Sequence, residues 1–414
     1  MINVKTYENG LRLIVNSIDC VRSVSLGVVV GAGSRLETKD ENGISHFIEH
    51  VTFKGTEKRT SFDISDETEG LGAQINAFTS KDVTCYYIKC TDEHSEECFD
   101  ILSDIFLNSV YPDDELDKER GVVLEEINMA EDTPDDLCLD ILAKAYFGEG
   151  GYGSTILGPS DNVSRFKSGD VFAYRKKYYV PSNTVISFAG HISFEKACEL
   201  VDKYFDMGDK IDFTLKTDYN KECICENLFA DKAIEQNHIA FGIPGVSLKS
   251  EDKAALICLN AILGGGMSSR LFQTVREKAG LAYTVYSYLS CYSDVGVIDV
   301  YAGVNPKKLD MACDCLLEQI NLLGEKGVSE RELLRVKEQI KGSTVLSSES
   351  TASLMISQAK RLLLLNEVFD IDKDLENLSR LETDKVNDLA KRFFTTKISA
   401  SAIVGKGVSP LKSR

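Results

Sequence analysis

The chain has 414 residues, enough for two domains of ordinary size and too many for one small module. Apolar residues make up 43% and charged residues 27%, a globular balance that excludes disordered and fibrous chains. Against 47 Lys and Arg stand 65 Asp and Glu, and the net charge of −18 repels phosphate backbones and anionic lipid. The charge argues against a nucleic-acid partner and suits a basic ligand or peptide better.

No apolar run approaches the roughly 18 residues of a membrane span. Met1-Ile2-Asn3-Val4-Lys5 opens neither a signal peptide nor an Arg-rich presequence, so the expectation is a cytoplasmic protein that does not cross a membrane. The 12 cysteines are scattered without a C-x-x-C pair, which predicts reduced thiols. Cys223/Cys225 and Cys313/Cys315 are C-x-C pairs, and Cys258 and Cys315 read as small buried apolar residues.

In chain order, Leu11 to Val15 and Val24 to Val30 have the Val, Leu and Ile content of strands and open a sheet. Ile44 to Lys54 changes to a helical period and meets Gly55, where a C-terminal cap is expected. Ala73 to Tyr87 returns to strand composition. A helical tract starts near Glu93, breaks at Tyr111-Pro112, resumes from Asp113 to about Glu131 and continues through Leu137 to Phe147. Polar residues dominate 211–228, which predicts a linker between a metal-bearing first domain at 1–210 and a similar second domain at 229–414.

Beyond the linker the order begins again, with a strand at Ile239 to Ile243 and a helix at Lys253 to Leu263. Strands follow between Ala282 and Val304, then helices at Lys307 to Leu323 and Ser329 to Leu346. Sliding the chain on itself by 217 positions lays Glu115-Leu116 on Glu332-Leu333 and His46-Phe-Ile-Glu-His50 on Leu263-Gly-Gly-Gly-Met267. A duplicated fold is predicted, with the polar cluster kept only in the first copy.

Two of the five histidines fall in His46-Phe47-Ile48-Glu49-His50. Chance would give H-x-x-[DE]-H in about 0.01 of chains of this composition. On a helix, residues four apart lie one turn above each other, so both imidazoles project from one face and can grip one metal ion. Neutral imidazole suits Zn²⁺, and a catalytic zinc takes three protein ligands and leaves a position open. Glu49 leans to the same face, where it can take a proton from a water at the metal and return it to a leaving amine. The order H-x-x-E-H is a known metallopeptidase signature. Phe47, Ile48 and Val51 predict a buried helix, in which such a trio needs a partner such as a metal.

For the third ligand, the tract from Asp113 offers Glu119 and Glu126, seven residues or two turns apart on one face, with Glu125 about 100° away. Gly264-Gly265-Gly266 lacks the G-x-x-x-x-G-K-[ST] spacing of a phosphate loop and reads as a turn.

His46-Phe-Ile-Glu-His50 followed by Phe53-Lys54-Gly55-Thr56 resembles the active-site helix of the pitrilysin and insulinase clan of zinc peptidases. Within the clan, the likeness is closest to the processing peptidase beta subunit of mitochondria and its bacterial relatives. That resemblance implies Glu126 as third zinc ligand, Glu119 as a second catalytic carboxylate and Glu49 as the base. Gly72-Ala73-Gln74-Ile75-Asn76-Ala77-Phe78-Thr79 is similar to the clan's edge strand, which implies Asn76 and Ala77 as substrate contacts in strand addition. Leu263 to Phe272 and Arg276 to Tyr283 match its C-terminal signature, which implies that Arg276 and Tyr283 bind substrate.

The expectation is therefore an α+β protein of two similar domains, each a mostly antiparallel sheet packed with helices. It would be a zinc endopeptidase with one zinc per chain, acting on extended peptides, with homodimer formation open. The competing reading is a non-catalytic structural subunit of the same fold, or a peptidase dedicated to one precursor.

Overall fold

The computed structural model describes residues 2–214, 224–395 and 398–411. Residues 215–223 of the expected linker lie outside the described residues. The first half runs β1 (Ile2–Thr6), β2 (Arg12–Ser17), β3 (Ser23–Val30), α1 (Ile44–Val51), α2 (Ser61–Gly70), β4 (Gln74–Thr79), β5 (Thr84–Thr91), α3 (Ser95–Asn108), α4 (Asp113–Asp132), α5 (Pro134–Phe147), α6 (Ser160–Val163), α7 (Ser168–Tyr178), β6 (Thr184–Gly190) and α8 (Phe194–Tyr204). The second half runs β7 (Asn227–Asp231), β8 (Asn237–Pro244), α9 (Lys253–Gly264), β9 (Ala282–Cys291), β10 (Gly296–Val304), α10 (Leu309–Lys326), α11 (Glu330–Ser347), α12 (Thr351–Leu365), α13 (Ile371–Ser379), α14 (Thr383–Phe394) and β11 (Ala400–Gly405). No described helix is long and apolar enough to cross a membrane.

The strands form two mixed, mostly antiparallel sheets, ordered β1-β2-β6-β3-β5-β4 and β7-β11-β8-β10-β9. From β2 onward the first order matches the second strand for strand, and each sheet has a single parallel pair, β2 with β6 and β7 with β11. The offset of 217 recurs in the helices: α4 and α11 start that far apart, and so do α5 and α12. The fold is α+β and internally repeated, as the sequence implies. The helix predicted for Ile44 to Lys54 ends at Val51, where Thr52 Oγ1 donates to Ile48 O and the chain leaves in a turn. Cys258 is buried, whereas Cys315 is only half-buried.

The compact units do not follow a cut near residue 210. One comprises Met1–Ile127, Thr155–Lys216 and Val345–Phe369, and the other Asn128–Ser154, Thr217–Thr344 and Asp370–Arg414. The two halves exchange the equivalent helices α5 and α12. The reason is a matched apolar stripe on each. In α5, Cys138, Leu142 and Ala145 are buried against Ala240, Tyr301, Ala402 and Val404 of the second sheet. In α12, Met355, Ala359 and Leu362 sit 217 positions on and are buried beside Ile14, Val29, Val185 and Ala189 of the first. Each stripe repeats at i, i+4, i+7, one face of a helix. The other face of the second sheet buries Ile239, Phe241, Ile298 and Val300 with Leu256, Leu259, Leu316 and Phe393 of α9, α10 and α14. Each central strand is therefore covered on both sides, and β6 is buried along its whole length.

One charge lies under the exchanged α5. Asp299 on β10 shares a face with Val297 and Tyr301 and stands opposite Gly242, where a Cβ would meet the Tyr146 ring of α5 at 2.9 Å. Burial pushes the Asp299 carboxyl up to about 7. Below its unfolded pKa both states hold the proton. Between that value and about 7 only the folded state does, so this group lowers stability as pH rises across the window. Asp299→Asn is expected to flatten the fall and to stabilise the protein at pH 8 by on the order of 1–3 kcal/mol. Urea denaturation at pH 5 and pH 8 checks this, and an unchanged difference between the two pH values would refute it.

Candidate metal centre

The site is built on α1, only eight residues long and too short to hold itself as a helix. Ile44, Ser45, Phe47, Ile48 and Val51 are buried, which turns His46, Glu49 and His50 to the other side. Gly43 enters the helix with φ of 100°, and a Cβ there would lie 2.6 Å from Leu157 O, so only glycine fits. Gly43 has no side chain to cap the helix, and the buried carboxylate of Glu37 does so from the preceding loop. Its Oε2 accepts from Gly43 N at 2.8 Å and from Asn42 Nδ2 at 2.9 Å, and its Oε1 accepts from Ser45 N at 2.8 Å. Burial raises the Glu37 pKa, and these donors act against it. The Ser45 hydroxyl donates to Tyr174 Oη of α7 at 2.9 Å, tying the same turn to a second helix.

α4 supplies the facing carboxylates from a stripe that also buries Leu116, Val123 and Ile127. Glu126 Oε2 lies 3.6 Å from His46 Nε2 and 3.4 Å from His50 Nε2. Glu119 Oε2 lies 3.1 Å from His50 Nδ1, and its Oε1 pairs with Lys54 Nζ at 2.5 Å. The structure brings together His46, Glu49, His50, Glu119 and Glu126, all five residues expected around the metal.

The donor chemistry fits zinc. In neutral His50, a proton on Nδ1 is held by Glu119, which leaves a lone pair on Nε2 aimed at the Glu126 carboxylate. Burial above all, with His50 close by, drops the His46 pKa to about 4, so His46 is a neutral imidazole at pH 7. The donor atoms of His46, His50 and Glu126 all lie within 4.8 Å of one another. Ligands about 2.0–2.1 Å from a tetrahedral ion stand roughly 3.4 Å apart, close to the spacings found here.

Glu49 is on the same face of α1, and its Oε2 accepts from Thr79 Oγ1 of β4 at 2.5 Å. Burial raises the Glu49 pKa, and the Thr79 hydroxyl and His50 hold it down. Asn76 and Ala77 lie three and two residues before Thr79 on β4, the terminal strand of its sheet. Asn76 Oδ1 turns back to accept Ala77 N at 2.8 Å. Ala77 pairs with Tyr86 and Asn76 with Tyr87, so the two project to opposite faces. Arg276 and Tyr283 belong to the second unit. There Arg276, in a π-helical turn at Phe272–Lys278, stacks between the rings of Phe272 at 4.7 Å and Tyr283 at 4.9 Å. Sequence reasoning missed Glu37 and assigned no role to Thr79 or Lys54. Their contacts cross turns and strands and follow no helical spacing.

The profile described as Insulinase (Peptidase family M16) matches residues 13–160, and that described as Peptidase M16 inactive domain matches residues 165–340. An uncharacterized zinc protease, YmxG, of Bacillus subtilis is 40% identical over 99% of this chain and 100% of its own length. Another, from Streptomyces coelicolor, is 34% identical over 99% of this chain and 90% of its own. The chain belongs to peptidase family M16. The zinc-protease names of these relatives support a peptidase function, and the cofactor is zinc. The M16 fold recurs in the crystal structure of a protease from Helicobacter pylori, with TM-score 0.88 and 24% identity over 98% of this chain and 99% of that one. It recurs also in Complex III2 from Candida albicans, with TM-score 0.84 and 19% identity over 98% and 96% of the chains.

Substitutions at two positions test this geometry in the M16 chain. Glu126→Gln is expected to weaken zinc retention at least tenfold, since an amide oxygen carries no charge to the ion. Metal analysis after dialysis against a graded chelator reads this, and full retention would assign the third ligand elsewhere. Glu37→Ala leaves the first N–H groups of α1 unpaired in the interior and is expected to cost about 2–4 kcal/mol of stability and to loosen zinc, with Glu37→Gln intermediate.

Proposed function

We propose that the chain is a zinc endopeptidase that hydrolyses extended peptides, with His46, His50 and Glu126 as zinc ligands and Glu49 as the general base. The observation that carries this reading is the tie between the base and the strand. Glu49 stands on the ligand face of α1 and is hydrogen-bonded to Thr79 of β4. Among the described residues no strand pairs with the outer edge of β4, so a peptide can add there by main-chain hydrogen bonds.

Zinc, when bound, supplies a Lewis acid that polarises the scissile carbonyl and makes water acidic enough to deprotonate near pH 7. Glu49 accepts the proton of the attacking water and delivers it to the amine nitrogen as the C–N bond breaks. Its raised pKa makes the carboxylate a stronger base for taking that proton from water, while the Thr79 hydroxyl fixes the carboxylate that receives it. Glu119 orients His50 through Nδ1 and is itself steadied by Lys54. Asn76 and Ala77 meet the substrate backbone, and Arg276 and Tyr283 orient the peptide or its developing oxyanion. The competing reading, a non-catalytic subunit of this fold, is less well supported, because the full donor set and the base are both present.

Glu49→Gln is expected to lower cleavage of a quenched fluorescent peptide library by about 10²–10⁴-fold with zinc content unchanged. Cleavage should also vanish on chelation and return with added zinc. Equal cleavage by the variant would remove Glu49 as base, and a zinc-loaded protein that cleaves no peptide would favour the structural subunit.

A further inference from the structure

We infer that Lys360, on the exchanged helix α12, together with Phe78 of β4, forms a subsite selecting an acidic side chain in the peptide; the inference rests on the proposal that substrate adds along β4.

Phe78 is half-buried and pairs with Cys85, and Cys85, Ala359 and Leu362 share one cluster on the α12 face of the sheet. Lys360 reaches over the ring of Phe78, its Nζ 5.4 Å from the centroid. Among the described residues no carboxylate pairs with this ammonium. It is therefore a cation held in one direction by an aromatic face, with its charge unmatched.

The location sets what it meets. Phe78 directly precedes Thr79, which holds the base Glu49 on the opposite face of the strand. A peptide extended along the outer edge of β4 turns alternate side chains to the two faces. Residues on one face approach α1 and Glu49. A residue beside the scissile bond on the other face lies against the Phe78 ring and the Lys360 ammonium. An aspartate or glutamate there gains an unpaired cation and keeps its methylene groups on an aromatic surface, whereas a lysine or arginine meets like charge. The residue that answers this position in the repeat is Ala143 on α5, so the charge has no counterpart in the second compact unit.

The test uses matched peptides carrying Glu, Gln or Lys at each position in turn. Binding is measured with the zinc-loaded Glu49→Gln protein and cleavage with the protein carrying Glu49. At one position, Glu is expected to be preferred over Lys by about three- to tenfold in affinity and in kcat/KM. Lys360→Gln should abolish that preference, Lys360→Glu should invert it and Lys360→Arg should retain it. Cleavage with a charge preference that is the same in all four proteins would overturn the subsite while leaving the peptidase proposal intact. A Lys360-dependent preference in binding without cleavage would support the subsite and count against the peptidase. Absence of peptide binding by any of these proteins would overturn both.

Discussion

Two imidazole nitrogens and a carboxylate oxygen, all electron-pair donors, point at one small volume between α1 and α4, and donors so arranged repel unless a cation lies among them. Much of the first unit serves to hold this otherwise unfavourable grouping. Glu37 anchors the first turn of a helix too short to persist alone, and Glu119 fixes which nitrogen of His50 carries the proton. Lys54 in turn offsets the charge of Glu119. Burial of His46 removes the alternative in which protonation would satisfy the site without metal.

The second copy of the fold shows what the same framework becomes when the donors are absent. At the offset of 217, His46, His50, Glu119 and Glu126 correspond to Leu263, Met267, Val336 and Ser343. Leu263 and Val336 are fully buried in the apolar core with Leu259 and Leu333. Only the His46 and Glu119 positions have become core, while Met267 and Ser343 are exposed, so the second copy keeps the framework but offers no donor set in it. That contrast agrees with the inactive-domain profile falling on residues 165–340. The exchange of α5 and α12 makes both copies interdependent, since each sheet has one face covered by a helix from the other half of the chain.

The grouping of the donors was legible in the sequence because it is local. His46, Glu49 and His50 lie within one turn, and the seven-residue spacing of Glu119 and Glu126 put both on one side of α4. Spacing alone did not say which of the two would face the ring nitrogens. The distances do, with Glu126 at Nε2 of both histidines and Glu119 at Nδ1 of His50. The repeat was legible as an order of elements, and the offset holds to the residue at α4 and α5. The helix exchange was not, for a stripe such as Cys138, Leu142 and Ala145 requires a cover but carries no information about which sheet provides it. Glu37 was hidden for a similar reason: its partners are backbone N–H groups, which every residue possesses, reached through a turn that only Gly43 permits.

The net charge of −18 suggested a basic peptide, and the site gives reason to weigh that suggestion lightly. Charges spread over a surface are screened beyond about 8 Å at physiological ionic strength, so they raise the local concentration of cationic peptides without choosing a register. Choice of register is made by groups within a few ångströms of the bound strand. Along β4 those groups differ in sign from face to face, with the carboxylate of Glu49 on one and the ammonium of Lys360 on the other. A peptide drawn in by the overall field would still be sorted by the alternation of its own side chains. The sign of the whole molecule and the sign of a single subsite can therefore oppose each other without conflict.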